Sequence, residues 1–234
     1  MKIFAHRGAS GEAPENTLKA FELALAQGAD AIELDLQRHG DQLLVIHDRW
    51  LHHSTSGQGL LENLAWEQLV ALDAGDGQPI PTLWQVLKLC RGRCRLNLEL
   101  KDHNLLELLN PMLDRAVAEL GWDPQDLLVS SFHHRQLAAF QAARPDWPIG
   151  LLIGHIPLEL AAVLGPLKAR SLHLALAFVD RALVDEAHRL GLEVYVYTAD
   201  EPEDLHWLSL IGVDGVFTNY PRRTRDWLHG HGAG

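Results

Sequence analysis

Short β-branched and leucine-rich runs alternate with longer helical patterns along nearly all 234 residues, and this alternation limits the folds open to the chain. Candidate strands are Ile3–His6, Ala31–Leu36, Arg95–Leu100, Leu127–Ser131, Ile149–Ile153, Ser171–Ala175, Glu193–Thr198 and Gly215–Thr218. Between them, apolar spacing predicts helices over Asn16–Gln27, Trp84–Cys94, Leu105–Leu120, Arg135–Ala143, Leu158–Leu164, Arg181–Leu190 and Glu203–Ile211. Asn16 is placed to cap the first helix, Gly28 to end it, and Gly191 to end the helix containing His188. Units of roughly 29 residues match the size of a βα repeat, and eight of them predict an α/β protein with a closed (β/α)₈ TIM barrel. An open doubly wound sheet is the alternative that the pattern alone allows.

One run breaks the alternation. Gln42–Ile46 follows Ala31–Leu36 too closely for a parallel crossover, so the two form an antiparallel hairpin turning near Gly40-Asp41. Folding there brings His47 within one residue of standing opposite Asp35. If the outgoing strand overshoots the barrel, His47-Asp48 returns to the C-terminal rim, where barrel active sites are built. The glycine-rich segment 49–81 reads as a small insertion at the mouth with one amphipathic helix near Glu62–Leu72, too short for a core of its own. The expectation is one barrel domain over residues 1–234, ending in a frayed tail at Gly230–Gly234.

Charge and apolar content narrow the partners. A formal net charge of −11 argues against nucleic acid and against stable association with an anionic membrane. The most apolar window, residues 149–167, is interrupted by His155, Pro157, Glu159 and Pro166 and cannot span a bilayer. The first residues carry no apolar leader segment, so a cytoplasmic location is expected. Cys90 and Cys94 read as reduced thiols and not as a disulfide scaffold or metal site.

Three strands end in polar residues where a core pattern calls for apolar ones. The first runs into His6-Arg7-Gly8, the second alternates Ile32-Glu33-Leu34-Asp35-Leu36, and the third alternates Leu96-Asn97-Leu98-Glu99-Leu100-Lys101. The period of two puts Glu33 and Asp35 on one strand face. Strands of a parallel barrel are buried on both faces, so uncompensated carboxylates there are costly. Glu33, Asp35 and Glu99 are hard oxygen donors suited to one divalent cation, Mg²⁺ or Ca²⁺. The competing reading is an ion-pair network in which Arg7 or Lys101 neutralises them.

The order and spacing of these blocks resemble the glycerophosphodiester phosphodiesterase family, in its cytoplasmic bacterial form. His6-Arg7-Gly8 with Pro14-Glu15-Asn16-Thr17 is similar to the family's opening signature. Glu33-Leu34-Asp35, Val45-Ile46-His47-Asp48 and Leu98-Glu99-Leu100-Lys101 resemble its next blocks. Ser130-Ser131-Phe132, Tyr195-Val196-Tyr197-Thr198 and Gly212–Asn219 follow in the expected order.

The resemblance implies a divalent metal at Glu33, Asp35 and Glu99, and His6 and His47 as an acid–base pair. Arg7, Lys101 and Tyr197 would contact the substrate phosphate, and Glu15 and Asp48 would support the histidines and Arg7. It also implies attack by a glycerol hydroxyl, giving a cyclic phosphate that water opens to glycerol 3-phosphate. The residues leave open which histidine is base and which acid, with the assignment leaning to His47 as base. The local charge then works out: the three carboxylates, one divalent ion, Arg7 and Lys101 leave a cationic site within an acidic protein. Departures from the family pattern are His53 where many members carry arginine, Tyr197 where tryptophan is common, and no asparagine near the end of Ser171–Phe178. Alternative readings are a lysophospholipase D-type enzyme, a non-catalytic phosphodiester-binding barrel, and a sugar-phosphate enzyme sharing only the fold. The other histidines read as surface or packing residues, with His103 the exception because it closely follows Lys101.

Overall fold

The computed structural model describes residues 1–231. From the N-terminus, β1 (Lys2–His6) leads through α1 (Leu18–Ala26) to β2 (Ala31–His39) and β3 (Gln42–Val45). An insertion holding the short α2 (Trp66–Leu69) precedes α3 (Leu83–Cys90). Regular repeats follow: β4 (Arg95–Leu100), α4 (Leu106–Arg115), β5 (Leu127–Ser131), α5 (His134–Ala143), β6 (Ile149–Ile153) and α6 (Leu160–Leu164). The last are β7 (Ser171–Ala175), α7 (Arg181–Arg189), β8 (Glu193–Tyr197), α8 (Pro202–Ile211), β9 (Gly215–Thr218) and α9 (Pro221–His231). Eight parallel strands close into a TIM barrel in the order β1-β9-β8-β7-β6-β5-β4-β2, with β1 pairing β2. β3 is bonded outside the ring, antiparallel to β2.

Alternation along the strands divides the core into two. Outward residues such as Ile32, Leu34, Leu98, Leu151, Val194 and Val196 pack under the helices in the main apolar cluster. Inward residues Phe4, Ala31, Leu128, Tyr195 and Phe217 form a separate cluster that plugs the lower barrel. Above the plug the inward positions turn polar, with Glu33, Asp35, Asn97, Glu99, Ser130 and His173 all buried. Gly150 makes room for this layer: a Cβ there would lie 2.6 Å from the His173 ring.

The hairpin forms because β2 is longer than the barrel needs. Its first six residues pair with β4, and its last four, Leu36 to His39, carry β3 around a Gly40-Asp41 turn with Gly40 at φ 59°. Ile46 N donates to Asp35 O at 3.0 Å, so His47 is one residue past the position opposite Asp35.

Local details depart from the sequence expectations. The cap of α1 is Thr17, whose Oγ1 accepts from Ala20 N at 3.2 Å, and not Asn16. α3 stops at Cys90 because the chain turns back through Gly92 at φ 65°, leaving Cys94 beyond the helix; both thiols are free. The single helix expected near Glu62–Leu72 is broken into a turn at Leu61–Asn63 and α2, with extended backbone at Leu64 and Ala65. Burial of Leu61 and Leu69 against Leu44, Ile46 and Leu51 fixes both ends and bends the chain between them. α9 was absent from the expected helices; Gly230 and His231 continue it, and the rest of the expected tail lies outside the described residues. Among the described residues, no helix is long and apolar enough to cross a membrane.

Candidate active site

Register assembles the carboxylates. β2 and β4 pair Glu33 with Asn97 and Asp35 with Glu99, which stacks the three acids at the C-terminal end of the barrel. One oxygen from each lies within 4.8 Å of the others, and the residues are 2%, 1% and 7% exposed. Lys101 Nζ stands 2.6 Å from Glu99 Oε1 and 3.3 Å from Asp35 Oδ1. Arg7 Nε is 3.2 Å from Asp35 Oδ2, and its Nη1 donates to both oxygens of Glu15 at 3.0 Å.

The ion-pair network therefore exists, but it does not reach Glu33. That carboxylate accepts from the Arg7 backbone N–H at 2.9 Å through Oε2, while Oε1 is buried with no partner. Burial, then the charges of Asp35 and Glu99, pushes Glu33 well above the usual carboxylate range. Burial acts the same way on Asp35, but Lys101, Arg7, His47 and Asn16 outweigh it and hold Asp35 low. Counting Glu15, four carboxylates face two side-chain cations, so with all four ionised the side chains sum to a net charge of minus two. Glu15 thus makes the site less cationic than the sequence implied. The orphaned Glu33 oxygen, the oxygen-only donor set and the double negative charge all fit one hard divalent cation.

The two histidines sit in different surroundings. His6 ends β1, with Nδ1 2.9 Å from Asn219 Oδ1. Asn219 is itself oriented by Asp200, donating from Nδ2 at 2.7 Å and from its backbone N–H at 2.8 Å. An amide oxygen only accepts, so His6 carries its proton on Nδ1 and keeps Nε2 free. Burial, then the neighbouring Arg7, lowers the His6 pKa to about 4. His47 leaves β3 with its backbone oxygen accepting from Gln37 Nε2 at 2.7 Å. Its Nδ1 is 3.1 Å from Asp48 Oδ1, ion-pair distance without the alignment of a hydrogen bond. Burial lowers its pKa too, while Asp35 and Asp48 oppose the shift.

The loop between β1 and α1 is shaped for the site. Arg7 at φ 58° and Gly8 at φ 83° are both left-handed, and a Cβ on Gly8 would lie 2.7 Å from the backbone of Ala20. Asn16 is also left-handed, at φ 57°; its backbone N–H donates to Arg7 O at 2.9 Å and its Nδ2 to Asp35 Oδ2 at 2.9 Å. The residue expected as a helix cap is thus a clamp on the acidic cluster. Tyr197 lines the cavity edge-on to Phe132, ring centroids 6.2 Å apart, and burial pushes its hydroxyl pKa up to about 12.

A cavity of 140 Å³ contains His6, Arg7, Glu33, His47, Glu99, Lys101 and Tyr197, with Asn97 and His173 also in its wall. A cleft of 560 Å³ opens from His47 and Lys101 towards Trp50, Asp102 and His103. A separate hollow of 730 Å³ at the opposite end of the barrel is lined by the paired charges Lys2–Glu193 and Arg95–Asp126 and lies away from the acids. Sequence reading missed Asn16, Asn97, Asp200, Asn219 and His173 as parts of the site. Asn219 closes the block Gly212–Asn219 and was open to detection; Asp200 carried no signal. His103 is not in the catalytic cavity but in the cleft, with its ring centroid 4.9 Å from that of His133.

The sequence matches the glycerophosphoryl diester phosphodiesterase family over residues 6–223. A glycerophosphodiester phosphodiesterase of Caldanaerobacter subterraneus subsp. tengcongensis is 34% identical over 229 residues, 94% of either chain. One from Bacillus altitudinis is 34% identical over 239 residues, covering 95% of this chain and 96% of its own. Among solved structures, an Oleispira antarctica phosphodiesterase in complex with the product sn-glycerol-3-phosphate superposes with a TM-score of 0.89 at 31% identity, covering 98% and 97% of the two chains. An Agrobacterium tumefaciens glycerophosphodiester phosphodiesterase gives 0.80 at 28% identity, covering 97% and 99%. With residues 6–223 matched by the family and relatives of 34% identity spanning nearly the whole chain, the chain belongs to the glycerophosphoryl diester phosphodiesterase family.

Proposed function

We propose that this enzyme hydrolyses glycerophosphodiesters to glycerol 3-phosphate and an alcohol, using one divalent cation, Mg²⁺ or Ca²⁺, and a pair of histidines. The observation that carries the reading is the uncompensated carboxylate of Glu33 beside two histidines in one 140 Å³ cavity. Glu33, Asp35 and Glu99 would hold the cation, which when bound withdraws charge from a phosphate oxygen. Arg7 and Lys101 supply fixed positive charge to the same phosphate, their geometry held by Glu15, Asp35 and Glu99.

His47 takes the proton of the attacking hydroxyl through Nε2. The Asp48 carboxylate behind Nδ1 favours the imidazolium that this creates. His6, its Nδ1 committed to Asn219, delivers a proton from Nε2 to the departing alkoxide. An anionic phosphodiester beside Nε2 offsets the burial that otherwise keeps His6 neutral. In the first step the glycerol hydroxyl oxygen bonds to phosphorus and the bond to the alcohol breaks. In the second, water opens the cyclic phosphate with the two histidines in exchanged roles. The product glycerol 3-phosphate bound to the Oleispira antarctica relative is consistent with this substrate class. The chain acts as a single catalytic domain on small substrates in the cytoplasm, away from membrane and nucleic acid.

The direct test is a coupled assay for glycerol 3-phosphate release from glycerophosphocholine, glycerophosphoethanolamine and glycerophosphoglycerol, with and without chelator. Turnover that survives EDTA overturns the cation, and retained turnover in both His6→Ala and His47→Ala overturns the acid–base pair. Quenched single turnovers in heavy-oxygen water test the cyclic step, which requires a transient cyclic phosphate.

A further inference from the structure

The carboxylate of Asp48 touches two imidazoles, one on each oxygen. His47 Nδ1 stands 3.1 Å from Oδ1, and His53 Nδ1 stands 3.1 Å from Oδ2. The second contact is built by the insertion. Trp50 bridges Leu60 across two antiparallel segments, and Leu51 N donates to Gly59 O at 2.9 Å. Leu51 is fully buried among Leu44, Ile46, Leu61 and Leu69. The single turn Leu51–His53, anchored by Leu51, swings His53 back against Asp48. His53 contributes nothing to that apolar cluster and is half exposed; its ring packs edge-on against His52 at 4.5 Å. Packing of the insertion therefore does not require a histidine at this position.

We propose that His53 is a positioning residue for the reaction: by holding Oδ2 of Asp48 it fixes the carboxylate whose Oδ1 sets the ring of His47. The inference rests on the acid–base role proposed above for His47. A carboxylate one-third exposed to water and gripped at a single oxygen rotates freely. Neither contact has hydrogen-bond alignment by itself, so the carboxylate is held by being bracketed between the two rings, one on each oxygen. The nearby cations are committed elsewhere: Arg49 to Glu62 at 3.0 Å, Lys101 to Glu99 and Asp35, and Arg7 to Glu15 and Asp35. Among the described residues, His53 is thus the partner that pins the outer side of Asp48.

The test is a double-mutant cycle on glycerol 3-phosphate release, with His53→Ala, His47→Gln and the double variant, and His53→Arg as a replacement that can still hold a carboxylate. His53→Ala is expected to lower kcat about tenfold while moving KM by less than about twofold, and His53→Arg to recover most of the loss. On the His47→Gln background the same change should cost nothing further, because the two residues act in series. Unchanged kcat in His53→Ala, or an equal loss with and without His47, overturns the proposal. Wild-type kcat in His47→Gln alone would overturn instead the reading on which it rests. Nitrogen NMR of the His47 ring gives a readout independent of turnover. The ring-nitrogen resonances of His47 should shift in His53→Ala, and an unchanged spectrum counts against the proposal.

Discussion

His6 and Asn219 stand 2.9 Å apart, Nδ1 against amide oxygen, at the ends of the first and last strands of the barrel. The ring tautomer of the proposed acid is therefore set across the seam where the barrel closes. Asp200 holds the amide in the only orientation that presents its oxygen.

Removing that partner frees the ring without touching Glu33, Asp35 or Glu99. Asn219→Ala is expected to lower kcat roughly 10- to 100-fold with little change in KM and undiminished cation binding. Steady-state kinetics with calorimetric titration of Mg²⁺ or Ca²⁺ checks this; parental kcat in the variant would show that the tautomer does not matter.

Glu33 should show opposite effects on stability and activity. Its charge is unfavourable in the protein without cation, because burial and the charges of Asp35 and Glu99 all oppose it. Glu33→Gln is therefore expected to raise the stability of chelator-treated protein by about 1 kcal/mol, or ~2–4 °C in Tm. The same change should remove cation binding and turnover. Thermal unfolding in EDTA and in saturating cation checks both signs, and a lower Tm in EDTA would contradict the account.

His173 gives the pH dependence. It is fully buried beside Tyr195 and Phe217, its Nε2 2.8 Å from Ser171 Oγ, and burial lowers its pKa to about 3. The unfolded chain takes up this proton near the ordinary value, while the folded protein resists it. Stability from this group is thus fully present above about pH 6.5 and is lost as the pH falls from there towards about 3. Within that window the slope is at most about 1.4 kcal/mol per pH unit. His173→Gln should lose that part of the slope; urea unfolding of both proteins at a series of pH values checks it, and parallel curves would refute it.

Gly8 tests the loop. It combines φ 83° with a Cβ position 2.7 Å from the backbone of Ala20, so Gly8→Ala requires the His6-Arg7 segment to move. A loss of about 2–3 kcal/mol in denaturant unfolding is expected, with a larger proportional loss of kcat, because Arg7 carries both the Glu15 and Asp35 contacts.

Most strands were legible because a barrel strand buries both faces, and the run of apolar residues is then continuous enough to mark its own ends. Leu127–Ser131 and Ile149–Ile153 need no tertiary information, and Arg95–Leu100 is marked instead by its strict alternation. The hairpin was legible from loop length alone, since five residues cannot make a parallel crossover. Asn16 was misread because its local environment is that of a cap, and Thr17, one residue later, does that work while Asn16 turns into the site. The broken insertion helix failed for a related reason: burial of Leu61 and Leu69 overrides a helical period that is otherwise present.

What the sequence determined by itself was periodicity and chemical type: strands of period two, three acids and two histidines at strand ends, and a spacing that permits a barrel. Those are properties of nearest neighbours and of pattern. The tertiary structure decided which charges go unpaired and which atoms meet. Glu33 is left uncompensated only because Lys101 and Arg7 reach Asp35, Glu99 and Glu15 first. His6 has a fixed tautomer only because closure of the ring brings Asn219 to it from the far end of the chain. Partners so distant in sequence leave no periodic trace, and the charge state of a buried group depends on all of them at once.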